Sequence, residues 1–444
     1  MFKKSTAPAA GGYTLSKSLR FRSSATAYLN RTPASASNRK TYTLSMWVKR
    51  GTLGAYGTPF QAWSSGNGST TFFFLNTDVL QFYSENSATN TMAFTTTQVF
   101  RDPAAWYHII ISVDTTQATN TNRVKIYING SQITAFSTAT YPTQNLDTWV
   151  NNNNLHGFGE NLTNGGDAFD GYMANVQFID GQQLTPSSFG ATDATTGAWQ
   201  PIAYTGSYGT NGFYLPFTDA TSTSTLGNDS SGNSNTWTTN NISVTAGVTY
   251  DSMTDVPTLT SATAANYGNL NPLSSGGTIS NGNLTYLATS GGNAAFGTYG
   301  MSGSDKFYFE VTVDAVSTNA NIGIINETFT QFSPSLSLNW GAESVAYRNN
   351  GQKYLSGTYS AYGSSYTTND LIGVAVDCGA GTVTFYKNNV SQGAITSSTI
   401  NGHTNFAFVG QNTGAVPQYS FNFGQRPFTY SAPSGFVALN TYNL

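Results

Sequence analysis

The sequence predicts an all-β chain of two β-sandwich domains in tandem, joined by a connector rich in Thr, Ser, Asn and Gly. Three observations predict it. A motif occurs twice: residues 109–114 read Ile-Ile-Ile-Ser-Val-Asp and, after a polar turn, 123–130 read Arg-Val-Lys-Ile-Tyr-Ile-Asn-Gly. Residues 371–377 read Leu-Ile-Gly-Val-Ala-Val-Asp and, after a Gly-rich turn, 382–389 read Thr-Val-Thr-Phe-Tyr-Lys-Asn-Asn. Each is an apolar run ending in Asp, a turn, an alternating strand and a second tight turn, the pattern of a β-hairpin opening into another strand. Charged residues are 9% of the chain and aromatics 14%, with 45 Gly. Ordinary soluble proteins carry roughly a quarter charged residues, so the polar share here is Thr, Ser, Asn and Gly, which suit strands and turns. No long stretch has helical periodicity, and 444 residues suit two or three domains.

The elements follow in order. Residues 1–16 read as an arm. Residues 17–31 alternate Leu19 and Phe21 against Arg20 and Arg22, a first strand with one wet face. Residues 43–49 set Leu44, Met46 and Val48 opposite Trp47. Residues 71–75 and 79–83 make a hairpin around Asn76–Asp78, and 106–114, 124–128 and 172–179 complete a first sandwich over 17–190. In the connector, 191–260, residues 213–217 read as a strand closing that sandwich, and Trp237, Ile242 and Val244 predict that the rest packs along a domain. Residues 261–444 form the second sandwich, with strands in 306–313, 322–324, 370–377, 382–389 and 420–428.

The pieces at 42–49, 106–114, 124–130 and 169–178, followed by Leu184-Thr185-Pro186, resemble laminin-G-like/concanavalin A-like jelly rolls. The strands of 261–444, in order and spacing, resemble SPRY-like sandwiches. Asp-Ser-Ser-Gly-Asn (229–233) and Pro-Ser-Gly-Phe-Val-Ala-Leu-Asn (433–440) extend the likeness to structural proteins of tailed, marine-type phages that carry the two domains in tandem. That resemblance implies two jelly-roll-type sandwiches in a virion protein: a tail fibre, capsid fibre or decoration protein that contacts other head or tail proteins, forms a homo-oligomer and displays its sandwiches to a host surface glycan or a neighbouring subunit. A carbohydrate-binding lectin is the alternative, and a glycan hydrolase a third.

Charge is segregated. The ten basic residues from Met1 to Thr77 precede the first acid, Asp78, so a formal net charge of −3 leaves −13 on the remainder. Lys3, Lys4, Lys17, Arg20, Arg22, Arg31, Arg39 and Lys40 are therefore the candidates for docking on an acidic virion partner; a solvated basic sheet face reads equally well. Nucleic-acid signatures are missing, and no run is long and apolar enough for a membrane span.

The residues nominate no catalysis. A retaining glycosidase needs two carboxyl groups about 5 Å apart, and none of Glu85, Glu160, Glu310, Glu327 and Glu343 has an acid at the Glu-x-Asp-x-Glu spacing of jelly-roll glucanases. The lone Cys378 permits no intrachain disulfide and reads as a core residue. The three histidines lack zinc spacing, and His108 reads as packing. No cofactor is expected. Calcium is possible at Asp167 and Asp170, as in some laminin-G-like domains, although Asn161, Asn164 and the glycines nearby are also what a turn looks like. For ligand contact the candidates are Trp340, Tyr354, Tyr359, Tyr362 and Tyr366, set among Gly and Ser, and Trp63 in the loop 56–68. A core role for these tyrosines competes with that reading.

Overall fold

The computed structural model describes residues 12–289, 293–330, 341–411 and 416–444. Among them the helical pieces are 3-10 turns of three or four residues, and the rest is strand and turn. The chain divides into two compact units. The first takes the described residues up to Thr245 together with Tyr250–Thr260; the second takes Ala246–Thr249 and Ser261–Leu444.

In the first unit one sheet runs, in hydrogen-bonded order, Ser131–Gln132, Val124–Ile128, Trp106–Asp114, Thr41–Arg50, Gly171–Asp180, Ser18–Phe21 and Ser252–Met253, with Phe213–Leu215 also paired to Gly171–Asp180. The second sheet runs Phe136–Thr140, Thr89–Val99, Val79–Asn86, Gly68–Phe74, Gly57–Ser64, Leu155–Phe158, Tyr28–Arg31 and Thr238–Asn240. Alternation sends Leu44, Met46, Val48, Ile109 and Ile111 inward from the first sheet to meet Phe60, Phe72, Phe82 and Phe94 from the second in one core. The predicted strand over 17–31 is two strands. Ser23–Ala25 turns the chain, Thr26 adopts a left-handed φ of 49°, and Tyr28–Arg31 crosses to the other sheet. The face of Arg20 and Arg22 is not wet: Arg20 is fully buried and Arg22 is 9% exposed.

The connector is part of this unit. Phe213–Leu215, Thr238–Asn240 and Ser252–Met253 each join one of the two sheets, and Trp237 is 2% exposed against Phe158 and Phe213. The stretch 56–68, read as a loop, holds the strand Gly57–Ser64 between Gly68–Phe74 and Leu155–Phe158. Pro59 is accommodated because the register shifts between Gly57 and Phe60.

In the second unit one sheet runs Gly277–Ser280, Thr285–Ala288, Gln418–Asn422, Lys306–Ala315, Leu371–Asp377, Thr382–Lys387 and Val390–Thr396, with Val437–Ala438 parallel to Lys306–Ala315. The facing sheet runs Ala294–Met301, Asn405–Gln411, Ala320–Asn326, Ser344–Arg348, Gln352–Leu355 and Thr358–Ala361.

The repeated motif forms the same device in both units. Leu371–Asp377 pairs antiparallel with Thr382–Lys387, and Trp106–Asp114 with Val124–Ile128. Asp114 and Asp377 accept turn N–H groups, from Thr116 and Ala380. Asn129 and Asn388, both left-handed at φ 48° and 47°, then accept from the N–H of His108 at 2.7 Å and of Leu371 at 2.8 Å. Each Asn also donates its own N–H back to the same residue's carbonyl.

Candidate functional site

The basic residues of the N-terminal half meet acids from far along the chain. Arg20 Nε lies 3.0 Å and Arg22 Nε 2.9 Å from Asp251 Oδ1. Lys49 Nζ, fully buried, is 2.8 Å from Asp255, which also accepts from Trp106 Nε1 at 3.0 Å. Burial pulls the Lys49 ammonium down from its usual range while Asp255 pushes it back up. Arg20 and Arg22 are thus consumed inside the fold, a correction to their assignment as docking residues: a charge this deep persists because it is paired and hydrogen-bonded. The other candidates divide. Arg31 is half-buried and donates to Asn235. Arg39 donates to the Thr148 carbonyl at 2.8 Å and lies 5.6 Å from the Trp149 ring. Lys17 and Lys40 are half-buried, and burial lowers Lys17. Lys3 and Lys4 lie outside the described residues.

On the same outer face of the first sheet, His108 is stacked on Trp47 at 4.7 Å and 8° and on Trp199 at 6.1 Å and 23°. Its Nδ1 accepts from Trp199 Nε1 at 2.8 Å, so the proton sits on Nε2, 2.8 Å from Ser45 Oγ. Burial lowers its pKa to about 3. His156, equally enclosed, is lowered to about 4.

The tyrosine group is mostly core. Tyr354 and Tyr366 are each 3% exposed, and Tyr366 Oη donates to the Ala320 carbonyl at 2.9 Å; neither is placed to contact a ligand. Tyr359 and Tyr362 are half-buried. Tyr359 lies 4.4 Å under the Arg348 guanidinium, and Tyr362 Oη donates to the Gly393 carbonyl. Trp340 lies outside the described residues. Trp63 is half-buried in a strand of the second sheet, not in a loop.

The calcium candidates are engaged separately. Asp170 Oδ2 accepts from Ser23 Oγ at 3.0 Å and Ser23 N at 3.3 Å, while Asp167 Oδ2 accepts from Asn161 at 3.2 Å. Among the described residues no group of three or more His, Cys, Asp or Glu side chains is placed to hold a metal ion. Glu310, the acid nearest a glucanase pattern, accepts from the N–H groups of Thr429 and Tyr430 at 2.9 Å each. Asp314, four residues along the same strand, accepts from Ser420 Oγ at 2.6 Å. Buried Cys378 is pushed up to about 12, away from thiolate chemistry.

The sequence did not nominate a cleft of about 210 Å³ where several strand ends of the first unit converge. Arg50, Phe74, Phe169 and Asp170 line it, and Tyr56 stands at its side, 47% exposed and stacked on Phe73 at 5.4 Å. Arg50, 2% exposed, donates through Nη1 to Asp78 at 2.9 Å and to the Phe100 carbonyl at 2.8 Å, and through Nη2 to Thr52. Its guanidinium lies 4.5 Å from the Phe74 ring centroid. Asp78 holds a left-handed φ of 64° and ties in Gly54 N at 2.8 Å and Arg101 at 3.1 Å. A side chain at Gly51 would stand 2.2 Å from Asp170 Oδ1 and 3.1 Å from the Asp170 carbonyl oxygen, so Asp170 would have to move to admit one. The one legible trace is Asp78 itself, the first acid after ten bases.

Comparison with known proteins decides the architecture. Residues 23–188 match the concanavalin A-like lectin/glucanases superfamily, and residues 306–426 match the SPRY domain. The chain carries a concanavalin A-like domain and a SPRY domain in tandem. Among solved structures, the SPRY domain of human HERC1 is 15% identical with a TM-score of 0.28, covering 33% of this chain and 91% of its own. Stonustoxin is 21% identical with a TM-score of 0.29, over 35% of this chain and 27% of its own. A heptameric SAP-like pentraxin from Limulus polyphemus is 16% identical with a TM-score of 0.29, over 38% and 78%. The cleft and the buried ion pairs belong to the concanavalin A-like unit, and the tyrosine group to the SPRY unit. Both domain types are suited to binding. Among the described residues no helix is long and apolar enough to cross a membrane.

Proposed function

We propose that the chain is a non-catalytic binding protein of a phage particle, a tail fibre, capsid fibre or decoration protein whose two sandwiches contact a host surface or a neighbouring subunit. The observation that carries the reading is the order of the two matched domains in one chain, together with the phage-like segments 229–233 and 433–440. The low charge agrees with it, because contacts made by neutral hydrogen bonds are little screened by salt. Attachment runs through the segment bearing Lys3 and Lys4, since Arg20 and Arg22 are occupied within the fold. No metal and no nucleic acid enter this reading.

The test is to purify particles and trace this chain in them by cryo-electron microscopy. A stoichiometric position supports the reading, and absence from the particle ends it. A free lectin is favoured by one observation, the cleft beside Arg50. It predicts sugar binding by a protein that no particle contains.

A further inference from the structure

We infer that Lys49 and Asp255 become joined covalently: Lys49 Nζ forms an amide with the Asp255 side-chain carboxyl, and one water leaves. The inference does not depend on the particle reading. Lys49 lies opposite Trp106 on one neighbouring strand and Tyr172 on the other, so the three side chains stand in a row on one face of the sheet. Asp255 follows the strand Ser252–Met253 and is pinned by Ser18, whose hydroxyl donates to its backbone carbonyl. Asp255 Oδ2 is 2.8 Å from Lys49 Nζ, and its Oδ1 is 3.0 Å from Trp106 Nε1. The Lys49 and Asp255 side chains are 0% and 1% exposed, and Trp106 and Tyr172 are buried with them.

The ammonium first passes a proton to Oδ2, giving a neutral amine and a neutral acid, the form that escapes the desolvation cost of two buried charges. Burial already pulls the Lys49 ammonium down, against the opposing effects of Asp255 and Asp102. The nitrogen lone pair then attacks Cγ, and the negative charge that develops on Oδ1 meets the Trp106 N–H. The Cγ–Oδ2 bond breaks as Oδ2 takes a second proton from the nitrogen and departs as water. An ammonium and a carboxylate thus become an amide and a water, with no oxidant or cofactor. Well-oriented groups react as if present at ~10⁵–10⁸ M, and a site closed to solvent resists the return of the water. The other ion pairs among the described residues are unsuited. Arginine stays protonated, which sets aside Arg20, Arg22 and Arg50, and the lysines paired with Asp377 and Asp370 are 45% and 25% exposed. The chain has one cysteine and so no intrachain disulfide. A link between residues 206 apart constrains the unfolded chain as a disulfide does.

The test is intact-mass spectrometry of the purified full chain under denaturing conditions, followed by proteolysis and peptide sequencing. The expected result is a chain lighter by one water, with a branched peptide joining Lys49 to Asp255. An amine-acetylating reagent applied to the denatured chain should label Lys306 and Lys387 and leave Lys49 unlabelled. Lys49→Arg, which keeps a cation but offers no nucleophile, should carry the full mass. The inference is overturned by a wild-type chain of full mass with Lys49 acetylated, or by a water loss that persists in Lys49→Arg. It is equally overturned if the loss maps to Asp170–Gly171 or Asp180–Gly181, where an aspartyl succinimide also sheds water. The wild-type peptide map decides the matter even if Lys49→Arg fails to fold.

Discussion

Asp251 neutralises two arginines at once, with side-chain exposures of 0% for Arg20 and 10% for Arg22. Removing one member of a buried pair strands the other charge, at a cost of about 3–5 kcal/mol. Asp251→Ala should therefore lower unfolding stability by that amount in a urea titration, and a wild-type midpoint would show the arginines rehydrate freely. The two enclosed histidines set a pH dependence. Their folded pKa values, about 3 and about 4, lie below the ~6.5 of an unfolded imidazole. Their contribution is complete above ~6.5 and is lost as pH falls through that value, by up to ~1.4 kcal/mol per pH unit for each histidine. The thermal midpoint of the concanavalin A-like unit should drop between pH 6.5 and 5, with both imidazoles still neutral by NMR at pH 5. Protonated rings in the folded state at pH 5 would contradict this. His108 was legible as a packing residue because it shares a strand face with Trp106, Ile110 and Ser112; its partner Trp199 was not, being 91 residues away.

At the scale of elements, the segment beyond 190 decides whether the first sandwich closes. It supplies Phe213, Leu215 and Trp237 to the core and Asp251 and Asp255 to the buried cations. Burial of large apolar side chains is worth roughly 1.5–3 kcal/mol each, so losing three of them and two counter-ions removes much of a net stability of about 5–15 kcal/mol. A fragment of residues 12–190 should lack a cooperative thermal transition and near-ultraviolet circular dichroism, whereas residues 12–260 should show both; cooperative folding of the shorter fragment would refute the argument. The hairpins were legible because two-residue alternation and an Asn turn are local signals. Gly57–Ser64 was not, because Gly57 and Pro59 at its start read as turn residues and its pairing with Leu155–Phe158 spans almost a hundred residues.

Across the molecule, a formal net charge of −3 conceals the internal cancellation of N-terminal cations by Asp78, Asp251 and Asp255. Buried pairs are screened far less than exposed ones. Raising NaCl from ~0.05 to ~0.6 M, which shortens the Debye length severalfold, should shift the thermal midpoints little. A strong fall would place the governing ion pairs at the surface, among them Lys306–Asp377 and Lys387–Asp370, whose lysine side chains are 45% and 25% exposed.

The sequence by itself determined the all-β class, the tandem sandwiches and the twice-built hairpin, because strand alternation and turn chemistry are written within ten or twenty residues. Tertiary structure alone decided the fate of the basic N-terminal run and the existence of the cleft. Arg20 and Asp251 are 231 residues apart, and charge along a chain does not say which charges will face each other once two sheets close. Tyr354 and Tyr366 make the same point: an aromatic between glycines reads alike whether it faces solvent or core, and only packing separates the two.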